Sequence, residues 1–245
     1  MTTDPPELLG LPYSPWSERA RWALDACGVA YQSRTFQPLL GEPALRLRLR
    51  RWTGVISVPV LTLPDGRCLA DSTEIARWAD AQGTPRLFPA STDLGAWLAL
   101  ADRGLEGGRA RALRRMLHDD EALLAMVPRS RRGALGGLGR RIAAYGIRRV
   151  LRKYAAPDDV TAAGLMDAAL DALRAALGGD PRGTVLGTFS YADIAMAQVL
   201  VFVRPPELGP MRFSKGARRV FTDPERVEKY ADLLAWRDAL YAERR

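Results

Sequence analysis

Leu11-Pro12-Tyr13-Ser14-Pro15-Trp16-Ser17-Glu18-Arg19-Ala20-Arg21-Trp22 is the stretch in which the chain changes backbone habit. The short apolar run Glu7–Leu11 reads as a strand and stops at Pro12. A hydroxyl residue, Ser14, then stands at a helix N-cap position, and Pro15 takes the first helical position, where its missing N–H is not needed. Helical spacing runs over Ser17–Ala26 and ends at Gly28, a C′ position, and Ala30–Phe36 reads as a second strand. These residues form a β-α-β unit.

Further on, past a less regular arginine-rich stretch, Val58–Leu63 and Arg67–Ala70 flank Pro64-Asp65-Gly66, whose Asp-Gly pair is a hairpin signal, and Ser72–Asp80 returns to helical spacing. The order β-α-β then β-β-α, within residues 1–82, is that of a thioredoxin-like α/β domain with a mixed sheet and helices on both faces. Residues 83–91 carry Gly83, Pro85 and Pro89 without a periodic pattern and read as a linker. From 92 to 245 strand signals vanish. Leu94–Met116, Leu138–Tyr154, Ala162–Leu177, Tyr191–Val203 and Glu225–Glu243 all have helical spacing, with a glycine-rich break between Gly133 and Gly139, so the second domain is expected to be an all-α bundle.

Composition narrows the function. The 245 residues are 47% hydrophobic and 26% charged, which suits a soluble globular chain. No apolar run is long enough to span a bilayer and Met1 to Pro6 has no signal-peptide character, so a cytoplasmic location is expected. Two cysteines, Cys27 and Cys68, and one histidine, His118, argue against disulfides and a metal site. The net charge of +8 lies wholly beyond residue 82, because the first 82 residues hold nine arginines and nine acids. Only three of the 36 basic residues are lysines, a bias that runs along the whole chain and speaks against nucleic acid as the partner.

Three segments carry candidate chemistry. Ser14 sits where free N–H groups and the helix dipole favour an anion or lower a thiol's pKa, although a plain helix cap would need the same residue. Pro59 opens a strand after Val58, a position for an edge or a special turn, and that leaves the Val58 backbone to a ligand. Asp71 and Ser72 put a carboxylate and a hydroxyl at another helix start, suited to an ammonium and a carboxylate together.

In order and spacing these segments resemble the N-terminal half of the cytosolic-type glutathione S-transferases, as a serine-type member. The resemblance extends to Glu18 through Tyr31, to Leu87-Phe88-Pro89, to the capping box Ser190-Tyr191-Ala192-Asp193 and to Trp236. It implies a cytoplasmic, homodimeric detoxification enzyme that uses glutathione as co-substrate and no metal. Ser14 would then contact the glutathione sulfur as the catalytic residue, with Val58 and Pro59 along the tripeptide backbone and Asp71 and Ser72 at its γ-glutamyl end. Tyr13 and Ser17 stand as alternative sulfur contacts.

The chain departs from the pattern in two places. Ser14 replaces the cysteine of thiol-exchanging members, which excludes a mixed disulfide there. Val55, Ile56 and Ser57 stand where many members have a basic residue, which leaves the arginines between 46 and 51 as candidates for the glycyl carboxylate. For the small electrophilic second substrate the candidates are Tyr13, Trp16 and the region Arg109–Met116, in which Arg111 and Arg115 are named for an anionic substrate. Residues 129–153 hold nine basic side chains and no acid, and Ile142, Tyr145, Val150 and Tyr154 are expected to share a helix face. That supports a rival expectation, a non-catalytic module docking weakly on an anionic membrane or an acidic partner.

Overall fold

The computed structural model describes residues 4–38, 40–82, 87–90, 93–126 and 132–245, with 132–135 described by backbone alone. The first half runs β1 (Glu7–Gly10), α1 (Pro15–Ala26), β2 (Gln32–Thr35), α2 (Glu42–Leu49), β3 (Val60–Thr62), β4 (Cys68–Leu69) and α3 (Ser72–Gln82). The sheet order is β2-β1-β3-β4. β1 and β2 are parallel, with Leu8 opposite Ser33, and so need the α1 crossover. β3 is antiparallel to both β1 and β4, with Leu61 opposite Leu8 and Leu69. Gly66 closes the β3–β4 turn at φ 84°, a conformation glycine adopts without a Cβ clash.

Strand alternation divides the apolar side chains between two faces. Leu8 and Leu61 join the core made with α1 and α3, whereas Val60 packs with Leu45 of α2, Ile56 and Leu9 on the other face. The expected mixed sheet with a helix layer on each side is therefore present. Helix α2 formed where the sequence reads as irregular. Leu45, Leu47 and Leu49 alternate like a strand, yet only Leu45 is buried and Leu47 is exposed. Strand β3 is shorter than the expected Val58–Leu63, because the cis Val58-Pro59 bond lies outside the ladder.

Among the described residues of the second half every regular element is a helix: α4 (Leu94–Leu117), α5 (Asp120–Ala125), α6 (Arg132–Lys153), α7 (Asp159–Leu177), α8 (Tyr191–Val199, continued by a 3-10 turn at Leu200–Phe202), α9 (Lys215–Phe221), α10 (Pro224–Lys229) and α11 (Ala231–Arg244). The glycine-rich segment expected to break a helix is helical within α6, and the single helix expected over 225–243 is interrupted at Tyr230. α8 is buried on every side. Its first turn is held by Asp193, which accepts from the Ser190 N–H at 2.8 Å, the Ser190 hydroxyl at 2.9 Å and the Val185 N–H at 2.7 Å. Among the described residues no helix is long and apolar enough to cross a membrane.

Buried polar contacts fix α1 to this bundle. Arg19, almost fully buried, donates to the Asp102 carboxylate on α4 and to the Ala195 carbonyl on α8 at 3.4 Å. Glu18, also buried, holds Arg21 at 2.8 Å and Arg245 at 2.7 Å, and the Trp22 indole donates to the Arg244 carbonyl at 2.9 Å. Such paired charges orient α1, and with it the turn that carries Ser14.

Candidate functional site

The β1–α1 turn sets Ser14 as the N-cap of α1, with φ −87° and ψ 124°. Its N–H donates to the Leu11 carbonyl at 3.3 Å and its carbonyl accepts from Glu18 N–H at 2.9 Å. The Ser14 Oγ accepts a long bond, 3.4 Å, from Ser17 N–H, and its own proton has no acceptor among the described residues. Ser17 is different: it is fully buried and its Oγ accepts from Leu11 N–H at 3.0 Å, which ties down the loop.

Ser14 opens into a cavity of about 460 Å³ between the two halves of the chain. Tyr13, Trp16, Val58, Pro59, Asp71 and Ser72 line the same cavity, and Ser17 does not. The Val58-Pro59 peptide bond is cis, and the Val58 backbone makes no hydrogen bond with another described residue. Asp71 caps α3, its Oδ1 accepting from Thr73 N–H at 2.8 Å and Glu74 N–H at 3.2 Å. Ser72, nearly buried, begins that helix. Two helix N-termini and one strand-leading loop thus converge on one space. Burial pushes the Tyr13 phenol up from its ordinary pKa, so it faces the cavity as a neutral hydroxyl.

The structure places Arg111 and Arg115 elsewhere. Arg111 pairs with Asp159 at 2.7 Å and Asp223 at 3.3 Å. Arg115 pairs with Asp223 at 3.0 Å and donates to the Val220 carbonyl at 2.9 Å. Burial alone would raise the Asp223 carboxyl, but Arg115, Arg226 and Arg111 together hold it below the usual range. Neither arginine lines the cavity.

The arginines between 46 and 51 do not reach the cavity either. Arg46 is bonded to Glu42 at 2.9 Å and to the Gly54 carbonyl at 3.2 Å, and Arg48 to Glu7 at 2.5 Å. The cations that line the cavity are Arg109, Arg149 and Lys153. Arg149 bonds Glu42 at 2.7 Å, and Lys153 donates to the Ile56 carbonyl beside Ser57. Arg109 lies with its guanidinium 4.8 Å from the Trp16 ring centre and 3.9 Å from that of Tyr154. The sequence offers Arg109 only as the first residue of the region Arg109–Met116, within which Arg111 and Arg115 are named, and it does not single out Lys153, since nothing in their neighbours marks which way each side chain faces.

Helix α6 presents two unlike faces. Ala143, Ile147, Val150 and Lys153 line the cavity, while Leu138, Ile142 and Tyr145 are each more than half exposed. The four residues expected to share one face are therefore split: Ile142 and Tyr145 point outward, Val150 and Tyr154 into the cavity. Of the basic stretch, Arg129 and Arg131 lie outside the described residues.

A glutathione S-transferase N-terminal domain model matches residues 13–82 and a glutathione S-transferase C-terminal domain model matches residues 112–239. None of the curated proteins compared with the chain matches it. Among solved structures, a glutathione transferase from Phanerochaete chrysosporium is 18% identical with a TM-score of 0.62, the match covering 99% of each chain. A glutathione S-transferase from Methylobacillus flagellatus with glutathione bound is 18% identical with a TM-score of 0.56, covering 96% of this chain and 94% of that one. A glutathione S-transferase from Pseudomonas fluorescens is 19% identical at the same TM-score and coverage. At these identities the likeness is one of fold, and it reaches from end to end. With both domain models matched in order over most of its length, the chain belongs to the glutathione S-transferase family.

Proposed function

We propose that the protein is a glutathione transferase in which Ser14 stabilises the glutathione thiolate for attack on a small electrophile. Residues 1–82 would bind glutathione and 92–245 would supply the second substrate's wall, joined through the 83–91 linker. One observation carries the reading: the Ser14 hydroxyl, the cis Val58-Pro59 turn and Asp71-Ser72 open into a single cavity. In this scheme Val58 pairs with the peptide backbone, and Asp71 and Ser72 take the γ-glutamyl ammonium and carboxylate. Ser14 donates a hydrogen bond to the sulfur, and the α1 N-terminus favours its charge.

An unperturbed thiol has a pKa of about 8.5, and each unit of depression is about 1.4 kcal/mol of preference for the thiolate. The thiol proton leaves to solvent. The sulfur lone pair then forms an S–C bond while the bond from carbon to its leaving group breaks, and that group departs with the electron pair. No side chain has to act as a base on Ser14. The test is Ser14→Ala, with glutathione binding by titration and turnover of a chloronitrobenzene. The expected outcome is glutathione affinity within about threefold of wild type and turnover reduced by about 10²-fold, the size of a lost anion-stabilising donor. Wild-type protein that does not bind glutathione would refute the proposal.

A second reading has an observation of its own. The exposed Leu138, Ile142 and Tyr145 lie on the outer face of α6 among the exposed Arg141, Arg148 and Arg152. That is the pattern of a helix adsorbing to an anionic surface. Flotation with phosphatidylserine vesicles reads it: adsorption should fall steeply as salt rises, and binding indifferent to salt counts against it.

A further inference from the structure

Two arginines line the cavity, and they differ in their partners: Arg149 is paired with Glu42, and Arg109 is not paired with an acid. Arg109 projects from α4 into the cavity, half-buried, and no described carboxylate lies within ion-pair distance of it. The nearest acid on its own helix, Glu106, lines the same cavity one turn earlier without making an ion pair to Arg109, and Asp102, one turn beyond that, is taken by Arg19. Instead of an acid, two aromatic rings hold the guanidinium, Trp16 from the first half of the chain and Tyr154 from the second. Lys153 stands 5.2 Å from the centre of the same Tyr154 ring and likewise has no carboxylate partner of its own. Arg109 and Lys153 thus bring two cations without ion pairs to the cavity, beside an apolar wall that includes Leu113, Ile147, Phe202 and Phe221. Of the acids that also line it, Glu42 is paired with Arg149 and Asp102 with Arg19, Asp71 caps α3, and Glu106 lies one turn before Arg109.

We propose that Arg109 is a specificity residue that holds the carboxylate or sulfonate of an aromatic electrophile, so that the second substrate is an organic anion. The inference rests on the glutathione transferase reading for its reaction, and on Arg109 for its substrate class. Stacking between two rings restrains the guanidinium and leaves its edge N–H groups as a preformed fork for an oxyanion. The ordering cost of binding is thereby reduced. A neutral electrophile of the same shape covers the guanidinium without supplying a counter-charge, and desolvating an unpaired cation is unfavourable. Discrimination between anion and neutral isostere thus follows from the ion pair that Arg109 lacks as well as from the donors it offers. Trp16 is two residues from Ser14, so the anion end and the sulfur end belong to the same turn.

The experiment compares a chloronitrobenzoate with its chloronitrobenzamide, which differ in charge and little in shape. In each reaction the glutathione sulfur bonds to the ring carbon and chloride leaves with the bonding pair. Wild type should favour the benzoate by at least about tenfold in kcat/KM, the size of one good charge-assisted bond. Arg109→Gln should raise KM for the benzoate about tenfold, with the benzamide and the glutathione Kd changed less than about twofold, and Arg109→Lys should restore part of the preference. Equal use of the two substrates by wild type would overturn the proposal without any variant. So would a loss in Arg109→Gln that falls on glutathione affinity, because the anion held would then be the tripeptide's own glycyl carboxylate. Equilibrium binding of nitrobenzoate against nitrobenzamide, without any thiol, reads the anion site even if glutathione does not bind. A benzoate preference there upholds the site while the transferase reading fails, and no preference removes the site itself.

Discussion

Gly107 and Gly95 lie on the same helix, α4, in opposite surroundings. A Cβ on Gly107 would run into the Ala162 backbone carbonyl of α7 and stand 3.2 Å from Leu165 Cβ, whereas one on Gly95 would meet nothing within 4 Å. Backbone cannot swing aside as a side chain does, so the extensive α4–α7 contact depends on the missing methyl group. Gly107→Ala should therefore lower the unfolding free energy by about 1–3 kcal/mol. Gly95→Ala should raise it by about 0.4–1 kcal/mol, by narrowing the unfolded ensemble. Urea melts of the two variants check this, and equal effects would contradict the packing. Single residues were legible in the sequence where local chemistry is distinctive. Ser14 before Pro15, Asp71 before Ser72, and Pro59 at a strand start are all read from near neighbours, and all three face the cavity. The region Arg109–Met116 was legible as a wall of the proposed second-substrate site, but which of its arginines faces the cavity was not. Arg109, Arg111 and Arg115 belong to one helix, and at about 100° per residue Arg109 lies about 200° from Arg111. Which face meets Asp223 and which meets Trp16 is decided by residues far away in the chain.

At the scale of elements, periodicity served where helices are long and half-buried. α1, α3, α4 and α7 lie where apolar spacing put them, apart from a turn at some ends. It failed where too little of the helix is buried to leave a period. α2 buries only Leu45, and α5 and α9 are too short, six and seven residues, to display two turns of pattern. The glycines of α6 misled in the other direction. Glycine costs about 1 kcal/mol in a helix, yet α6 runs through Gly136 and Gly137, where an added Cβ would meet nothing nearer than 3.9 Å; the part of α6 that walls the cavity comes later, at Ala143 and Gly146. The break at Tyr230 is likewise a tertiary effect. Its hydroxyl donates to Asp167 at 3.0 Å and Asp171 at 2.9 Å on α7, an anchor that no local pattern discloses.

The whole molecule is closed over the cavity by a polar seam that the sequence does not announce. Glu42 of α2 accepts from Arg46 on its own helix at 2.9 Å and from Arg149 of α6 at 2.7 Å, and Lys153 reaches across to the Ile56 carbonyl. The Arg149 hydrogen bond, joined by those of Arg46 and the charges nearby, holds the Glu42 carboxyl at about 2, against 4.5 for a free side chain. Because the folded form binds its proton less readily than the unfolded form, this contact stabilises the fold fully above pH about 4.5. It is lost as the pH falls toward about 2, where both forms are protonated. Arg149 is 41% exposed, so solvent and salt screen the bridge and its contribution is about 1 kcal/mol or less. Glu42→Gln should thus lower stability by up to about 1 kcal/mol near neutral pH. The gap from wild type should shrink steadily as both are melted at lower pH, and added salt should narrow it as well. A gap that stays constant through the acid range would mean that the carboxylate charge is not what ties α2 to α6. The closure would then rest on the Lys153 hydrogen bond to the Ile56 carbonyl and on apolar packing rather than on Glu42.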